Sequence, residues 1–167
     1  MKIVSQVLSV QTALEITASH HPFDRNGLKF FTSGGGLEGE DVSDILELAY
    51  DAEVPAGTDN APVMLPFMND YAALLRRQIV DGVQNGDRPL EGLHIVVDAG
   101  NGVGGFYAEK VLSPLGADTT GSRYLEPDGM FPKHIPNPEN ETAMNSVREA
   151  TLGAKADLGV IFDTDVD

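Results

Sequence analysis

Two groups of residues in this chain have the types and spacing to do chemistry. In the first, Ser19 is followed directly by His20 and His21, with Lys29 ten residues on. A serine hydroxyl is a weak nucleophile unless a base or a nearby cation assists it. A loop of Ser, His and Lys can also accept and hold a phosphoryl group, because the cations offset its charge. The plainer reading is a polar turn. The second group is Asp163-Thr164-Asp165-Val166-Asp167, three carboxylates at alternate positions after the apolar run Gly159 to Phe162. Such hard oxygens suit Mg²⁺ or Ca²⁺. An EF-hand also begins Asp-x-Asp-x-Asp, but it needs an incoming helix, a glycine and a distal Glu, and here a strand leads in. Ligands of parallel sheets collect beyond the carboxyl ends of strands, which favours a catalytic or substrate-bound Mg²⁺. A solvated acidic turn is the plainer alternative.

Two further segments are more ambiguous. Asp98 to Gly105 contains a literal Gly-x-Gly-x-x-Gly between a strand and a helix, the form of a dinucleotide fingerprint. The acid that should bind ribose is misplaced: Asp118 lies near the start of the next strand and Glu126 beyond it. A glycine turn that lets strand and helix approach closely is the better reading. In Phe131-Pro-Lys-His-Ile-Pro-Asn-Pro138, prolines stiffen a loop in which Lys133 and His134 could face a phosphate, though a structural loop is the simpler expectation.

The elements that must position these residues follow from periodicity. Residues 6–18 are apolar and β-compatible, Ser19 to Gly27 is loop material, and Leu28 to Thr32 is a short strand. Val42, Ile45, Leu46 and Ala49 have helical spacing with Asp41 as N-cap. A helix over about 68–84 presents Tyr71, Leu74, Leu75 and Ile79 on one face, and Asn85 to Pro89 is a linker. Leu93 to Val97 is an apolar strand of the buried parallel kind. Phe106 to Leu115 is helical and closed by Gly116. Ala117 to Tyr124 is a second strand. A helix near 140–152 carries Met144, Val147 and Ala150, and Leu158 to Phe162 is a third strand. The fold class is α/β: a mixed-sheet α/β/α domain over 1–88, partial, then a β-α-β-α-β parallel-sheet α/β/α domain over 89–167.

Composition excludes other classes. The 167 residues carry 26 acidic and 11 basic side chains, a net charge of −15, which would repel nucleic acid or an anionic membrane. There is no cysteine, hence no disulfide framework and no Cys-ligated metal. No apolar run approaches the ~20 residues that span a bilayer. A cytoplasmic protein is expected.

Taken together, the four segments resemble the alpha-D-phosphohexomutase superfamily of phosphoglucomutases, phosphomannomutases and phosphoglucosamine mutases. Thr17-Ala-Ser-His-His-Pro-Phe-Asp-Arg-Asn-Gly-Leu-Lys29 is similar to that family's phosphoserine loop, with His21 where Asn is usual. Val96 to Gly105 resembles the start of its second domain, and Phe131 to Pro138 the loop that follows there. Asp163 to Asp167 resembles the metal loop, with Thr164 where many members have Gly. The resemblance implies catalytic roles for Ser19 as phosphoserine, Lys29 as general acid/base and His20 as helper. It implies Mg²⁺ held by Asp163, Asp165, Asp167 and the phosphate on Ser19. The partners implied are a hexose phosphate (glucose, mannose or glucosamine phosphate) and a hexose bisphosphate intermediate, interconverted as 1- and 6-phosphates. The N-terminal arginine loop, the Arg after the metal loop and the third and fourth domains are not in these residues, so the chain is expected to be a fragment, inactive in isolation. Readings of other classes are a non-catalytic Mg²⁺-binding or interaction protein and, on the glycine turn alone, a nicotinamide-dependent oxidoreductase.

Overall fold

The computed structural model describes residues 10–19, 21–22, 24–53, 57 and 61–166. They divide into two compact units: residues up to Ala18 with Asp24–Met64, and Ser19–Phe23 with Leu65 onward.

The first unit is built on a hairpin. β1 (Thr12–Ile16) pairs antiparallel with β2 (Leu28–Thr32), and β2 with the two-residue β3 (Gly35–Gly36). The loop between β1 and β2 is closed at its base, where the Thr17 amide donates to the Gly27 carbonyl at 3.0 Å. α1 (Gly39–Asp51) follows. Its N-cap is Glu38, not the expected Asp41; Asp41 sits at the third helical position and its Oδ2 accepts from the Glu38 amide at 3.3 Å. That is the reciprocal half of a capping box, in which the N3 acid reaches back to the cap. α1 has no buried residue, and Leu46, Leu48 and Tyr50 are exposed.

The second unit begins with α2 (Met68–Val83), which buries Ala72 against Val111 and Leu115, with Leu75 and Ile79 beside them. Compactness thus groups α2 with this unit, whereas the sequence places the domain boundary between 88 and 89; the apolar stripe of α2 finds its partner in the helix after the glycine turn. That helix is irregular: turns over Val103–Gly105 and Ser113–Leu115 flank a π-helical stretch, Tyr107–Leu112. Pro114 has no N–H to offer the Lys110 carbonyl four residues back, and the Arg76 Nη1 of α2 donates to that carbonyl instead. Gly116, at φ +103°, ends the segment as expected.

β4 (Ile95–Asp98) is buried throughout and pairs parallel with β5 (Leu158–Ile161). The expected strand at Ala117 to Tyr124 makes backbone hydrogen bonds to the other edge of β4 only through Asp118 and Arg123. Between them Asp118 Oδ1 accepts from the Thr120 amide at 2.9 Å, curling the chain into a turn, and Ser122 Oγ accepts from the Val97 amide where a ladder carbonyl would stand. α3 (Glu141–Ala154) is N-capped by Asn140, whose side chain accepts from the Thr142 and Ala143 amides. It buries Ala143, Val147 and Ala150; Met144, expected on that face, is 45% exposed. Val97 and Ala99 pack on Ala108, while Asp98, pointing the other way, bonds to Ser146 of α3. The helices therefore cover opposite faces of β4, as alternate strand residues dictate.

Candidate functional site at the ends of the parallel strands

β4 lies between the 118–123 segment and β5, with the two crossovers on opposite faces. Such a reversal opens a crevice at the carboxyl ends of the strands, here between β4 and β5. Asp98 and Asp163 stand there, one ending β4 and the other following β5. The Phe162 amide donates to the Asp98 carbonyl at 3.3 Å, and the Val103 amide to the Thr164 carbonyl at 2.9 Å. The glycine turn after β4 is thus fastened to the acidic loop after β5.

This fastening explains the glycines. At Gly102 a Cβ would meet the Thr164 carbonyl oxygen at 2.8 Å and its Cα at 3.0 Å. At Gly100, with φ +53°, it would meet the His134 ring at 2.8 Å. The Gly100 amide is taken by Asp98 Oδ1 and the Gly102 amide by the Ala99 carbonyl. The close approach that a pyrophosphate would need is made by the protein's own atoms, so the turn serves packing rather than dinucleotide binding.

In the acidic loop Asp163 is buried, and its Oδ1 accepts from the Val166 amide at 2.8 Å. Val166 has φ +71°, a left-handed conformation rare for a β-branched residue. Asp165 shares the loop, and Asp167 lies outside the described residues. Among the described residues no group of three His, Asp or Glu side chains is arranged to hold a metal ion. The chemistry of the donors still fits one. Asp163 and Asp165 are hard-oxygen ligands, and two buried oxygens, Thr164 Oγ1 in the same loop and Asn101 Oδ1 in the glycine turn fastened to it, lack a hydrogen-bond partner. Orphaned buried oxygens of this kind call for a cation or a water.

Ser19 belongs by packing to the same unit as the acidic loop, and its backbone is left-handed, with φ +50°. Non-glycine residues held there carry strain of about 1–3 kcal/mol and cluster at active sites. Lys29 is on β2 directly opposite Glu15 of β1, its Nζ 3.9 Å from Glu15 Oε2. His20 lies outside the described residues.

One set of polar residues emerges only in three dimensions. Asp98 is fully buried and accepts from three directions: His134 Nε2 at 3.0 Å, the Gly100 amide at 3.0 Å and the Ser146 hydroxyl. His134 also has Nδ1 3.0 Å from the Ile135 carbonyl and meets the Tyr124 ring edge-on at 5.6 Å. It is buried and turned inward rather than facing a phosphate; Lys133 beside it is exposed. The proline loop and α3 are thereby tied to the end of β4. The signal for Asp98 is an acid ending an otherwise apolar strand; Ser146 has no signal in the sequence.

The comparisons with known proteins agree with this geometry. Residues 69–167 match the family description "Phosphoglucomutase/phosphomannomutase, alpha/beta/alpha domain II", and residues 2–55 match "alpha/beta/alpha domain I" of the same family. A phosphoglucomutase of Neisseria gonorrhoeae is 34% identical over 152 residues, covering 91% of this chain and 31% of that protein. A phosphoglucosamine mutase of Deinococcus deserti is 32% identical over 96% of this chain and 35% of its own length. A solved phosphoglucomutase/phosphomannomutase family protein of Burkholderia thailandensis superposes with a TM-score of 0.74 at 26% identity, over 93% of this chain and 32% of that one. The chain spans about a third of the length of the curated relatives it matches. With two family domains matched in order and the parallel sheet in place, the chain belongs to the alpha-D-phosphohexomutase superfamily.

Proposed function

We propose that this chain carries the phosphoryl-bearing serine and the cation loop of an intramolecular phosphotransferase that interconverts hexose 1- and 6-phosphates in the cytoplasm. The observation that carries the reading is Ser19: a strained serine within a family-matched Thr-Ala-Ser-His loop whose base is closed by the Thr17–Gly27 hydrogen bond. Strain of this kind persists where the surroundings over-determine it, as they must around a group that reacts.

In the proposed reaction phosphorylated Ser19 gives its phosphoryl group to the free hydroxyl of a hexose monophosphate. The Ser19 Oγ–P bond breaks, the sugar O–P bond forms, Lys29 takes the hydroxyl proton and the serine oxygen regains one. The resulting bisphosphate returns its other phosphoryl group to Ser19. His20 assists beside the phosphoserine. Asp163, Asp165 and Asp167, with the phosphate on Ser19, would hold Mg²⁺, which neutralises charge on the transferring group. The chain's own part is to hold Asp163 at the strand end through Val166 and Val103. Relatives named for glucose, mannose and glucosamine phosphates support a hexose phosphate as substrate. Net turnover by these 167 residues alone is not expected, because positioning of the sugar, worth several kcal/mol, needs further groups.

Incubation with a hexose bisphosphate carrying ³²P tests the reading. It predicts one labelled site, mapped to Ser19 and absent in Ser19→Ala. A folded chain that takes up no label, or takes it up elsewhere, overturns it.

A further inference from the structure

At the carboxyl end of β4, on the edge away from β5, the second unit holds a cleft of about 270 Å³. Arg123, Tyr124, Lys133, Thr142, Asn145 and Glu149 line it. Tyr124 and Phe131 both have left-handed backbones, at φ +55° and +46°, so strained turns shape the two segments that bring the cations in. The Arg123 guanidinium carbon lies 5.8 Å from the Tyr124 ring centroid and Lys133 Nζ 6.0 Å from it. Among the described residues neither cationic side chain has an ion-pair or hydrogen-bond partner, although Glu149 lines the same space. In a chain with 26 acidic and 11 basic side chains, two cations without a carboxylate partner beside one cavity are a local reversal of charge.

The rest of the wall narrows what can bind. His134 and Ser146 are committed to Asp98, so they fix the cleft's back and do not serve a ligand. Asn140 takes the Thr142 and Ala143 amides of α3, which leaves an anion to the side chains of Arg123 and Lys133. Thr142, Asn145 and Glu149 are three and then four residues apart, hence on one helix face. They offer a hydroxyl, an amide and a carboxylate, the partners of ligand hydroxyl groups. The volume suits a body of a few carbons.

We infer that this cleft binds a small hydroxylated phosphomonoester, its phosphate between Arg123 and Lys133 and its hydroxyls on Thr142, Asn145 and Glu149. The site is separate from the acidic loop and needs neither Ser19 nor a divalent cation. The test titrates the 167-residue chain with glycerol 1-phosphate and with inorganic phosphate, in EDTA, by calorimetry and amide NMR. The ester should bind saturably and shift the amides of 123–124, 133 and 142–149. Inorganic phosphate should bind at least about tenfold more weakly. The double variant Arg123→Gln/Lys133→Gln should weaken the ester at least about tenfold, while Arg123→Lys alone retains binding and reports on fold. Thr142→Val with Asn145→Ala should weaken the ester and leave inorganic phosphate unchanged. Ser19→Ala should bind the ester normally, so failure of serine labelling and failure of this site are read separately. Absence of saturable ester binding, equal affinity for inorganic phosphate, or shifts confined to 163–166 would overturn the inference.

Discussion

The Val103 amide donates to the Thr164 carbonyl at 2.9 Å, and Gly102 beside it leaves no room for a side chain against Thr164. The turn after one strand is thereby the floor of the acidic loop after its neighbour. Gly102→Ala must displace backbone rather than a flexible side chain. Overpacking of this kind costs about 1–3 kcal/mol. Urea unfolding should show that loss, and Mg²⁺ affinity should fall with it. An unchanged unfolding midpoint would show that the loop is not braced by this turn.

Asp98 collects His134, Ser146 and the Gly100 amide at one buried carboxylate. Asp98→Ala strips all three donors of their acceptor, and each buried unsatisfied group costs about 1–3 kcal/mol. We expect Asp98→Ala to lose at least about 2 kcal/mol by chemical denaturation, and Ser146→Ala, which leaves two donors on the carboxylate, only about 1 kcal/mol. Equal losses would mean that the hydroxyl, not the carboxylate, organises the network.

The left-handed backbone of Ser19 separates strain from chemistry. Alanine there keeps the steric cost, while glycine removes it. Ser19→Gly should be more stable than Ser19→Ala by about 1 kcal/mol in thermal unfolding. Neither variant should take up label from a hexose bisphosphate. Identical stabilities would indicate that the loop relaxes around the residue.

Lys29 and Glu15 face each other in register, with both side chains partly exposed. Such a pair is worth no more than about 1 kcal/mol. Glu15→Gln should therefore leave the melting temperature nearly unchanged. Lys29→Gln should also fold, yet slow serine labelling about 100-fold or more if Lys29 is the acid/base. Labelling at the wild-type rate would remove Lys29 from the reaction.

Burial of the Tyr107 phenol raises its pKa above 10.0, and the neighbouring Tyr71 adds to the effect by repulsion and by a hydrogen bond. A folded-state value above the unfolded one means that the contribution to stability is complete below about pH 10 and is lost as pH rises through the folded value. Ultraviolet titration should find one tyrosine ionising later than the rest, and Tyr107→Phe should flatten the alkaline limb of the stability curve. Four tyrosines titrating together would refute this.

Much of the architecture was legible from local pattern. The strands at Leu28 and Leu158, the helix over 68–84 and the cap at Gly116 follow from periodicity and glycine chemistry, which act over a few residues. The strand expected at Ala117 to Tyr124 failed because Asp118 bonds to Thr120 and starts a turn, a side-chain choice that competes with the ladder. Asp41 is not the cap because the helix begins at Gly39, ahead of the apolar periodicity at Val42, which makes Glu38 the cap and puts Asp41 at the third helical position.

The Thr17 to Lys29 loop and the acidic run at Asp163 carry the family in their residue types and order, and they set which side chains are available for phosphoryl and cation chemistry. How they are held is settled by the folded chain. Folding turns His134 inward onto Asp98, brings Ser146 from another element to the same carboxylate, and makes the glycine turn a seat for Thr164. It also gathers Arg123 and Lys133 around Tyr124. The reason is that these contacts join residues distant in sequence, and no local periodicity encodes which carboxylate, amide or ring will fill the space beside a given backbone.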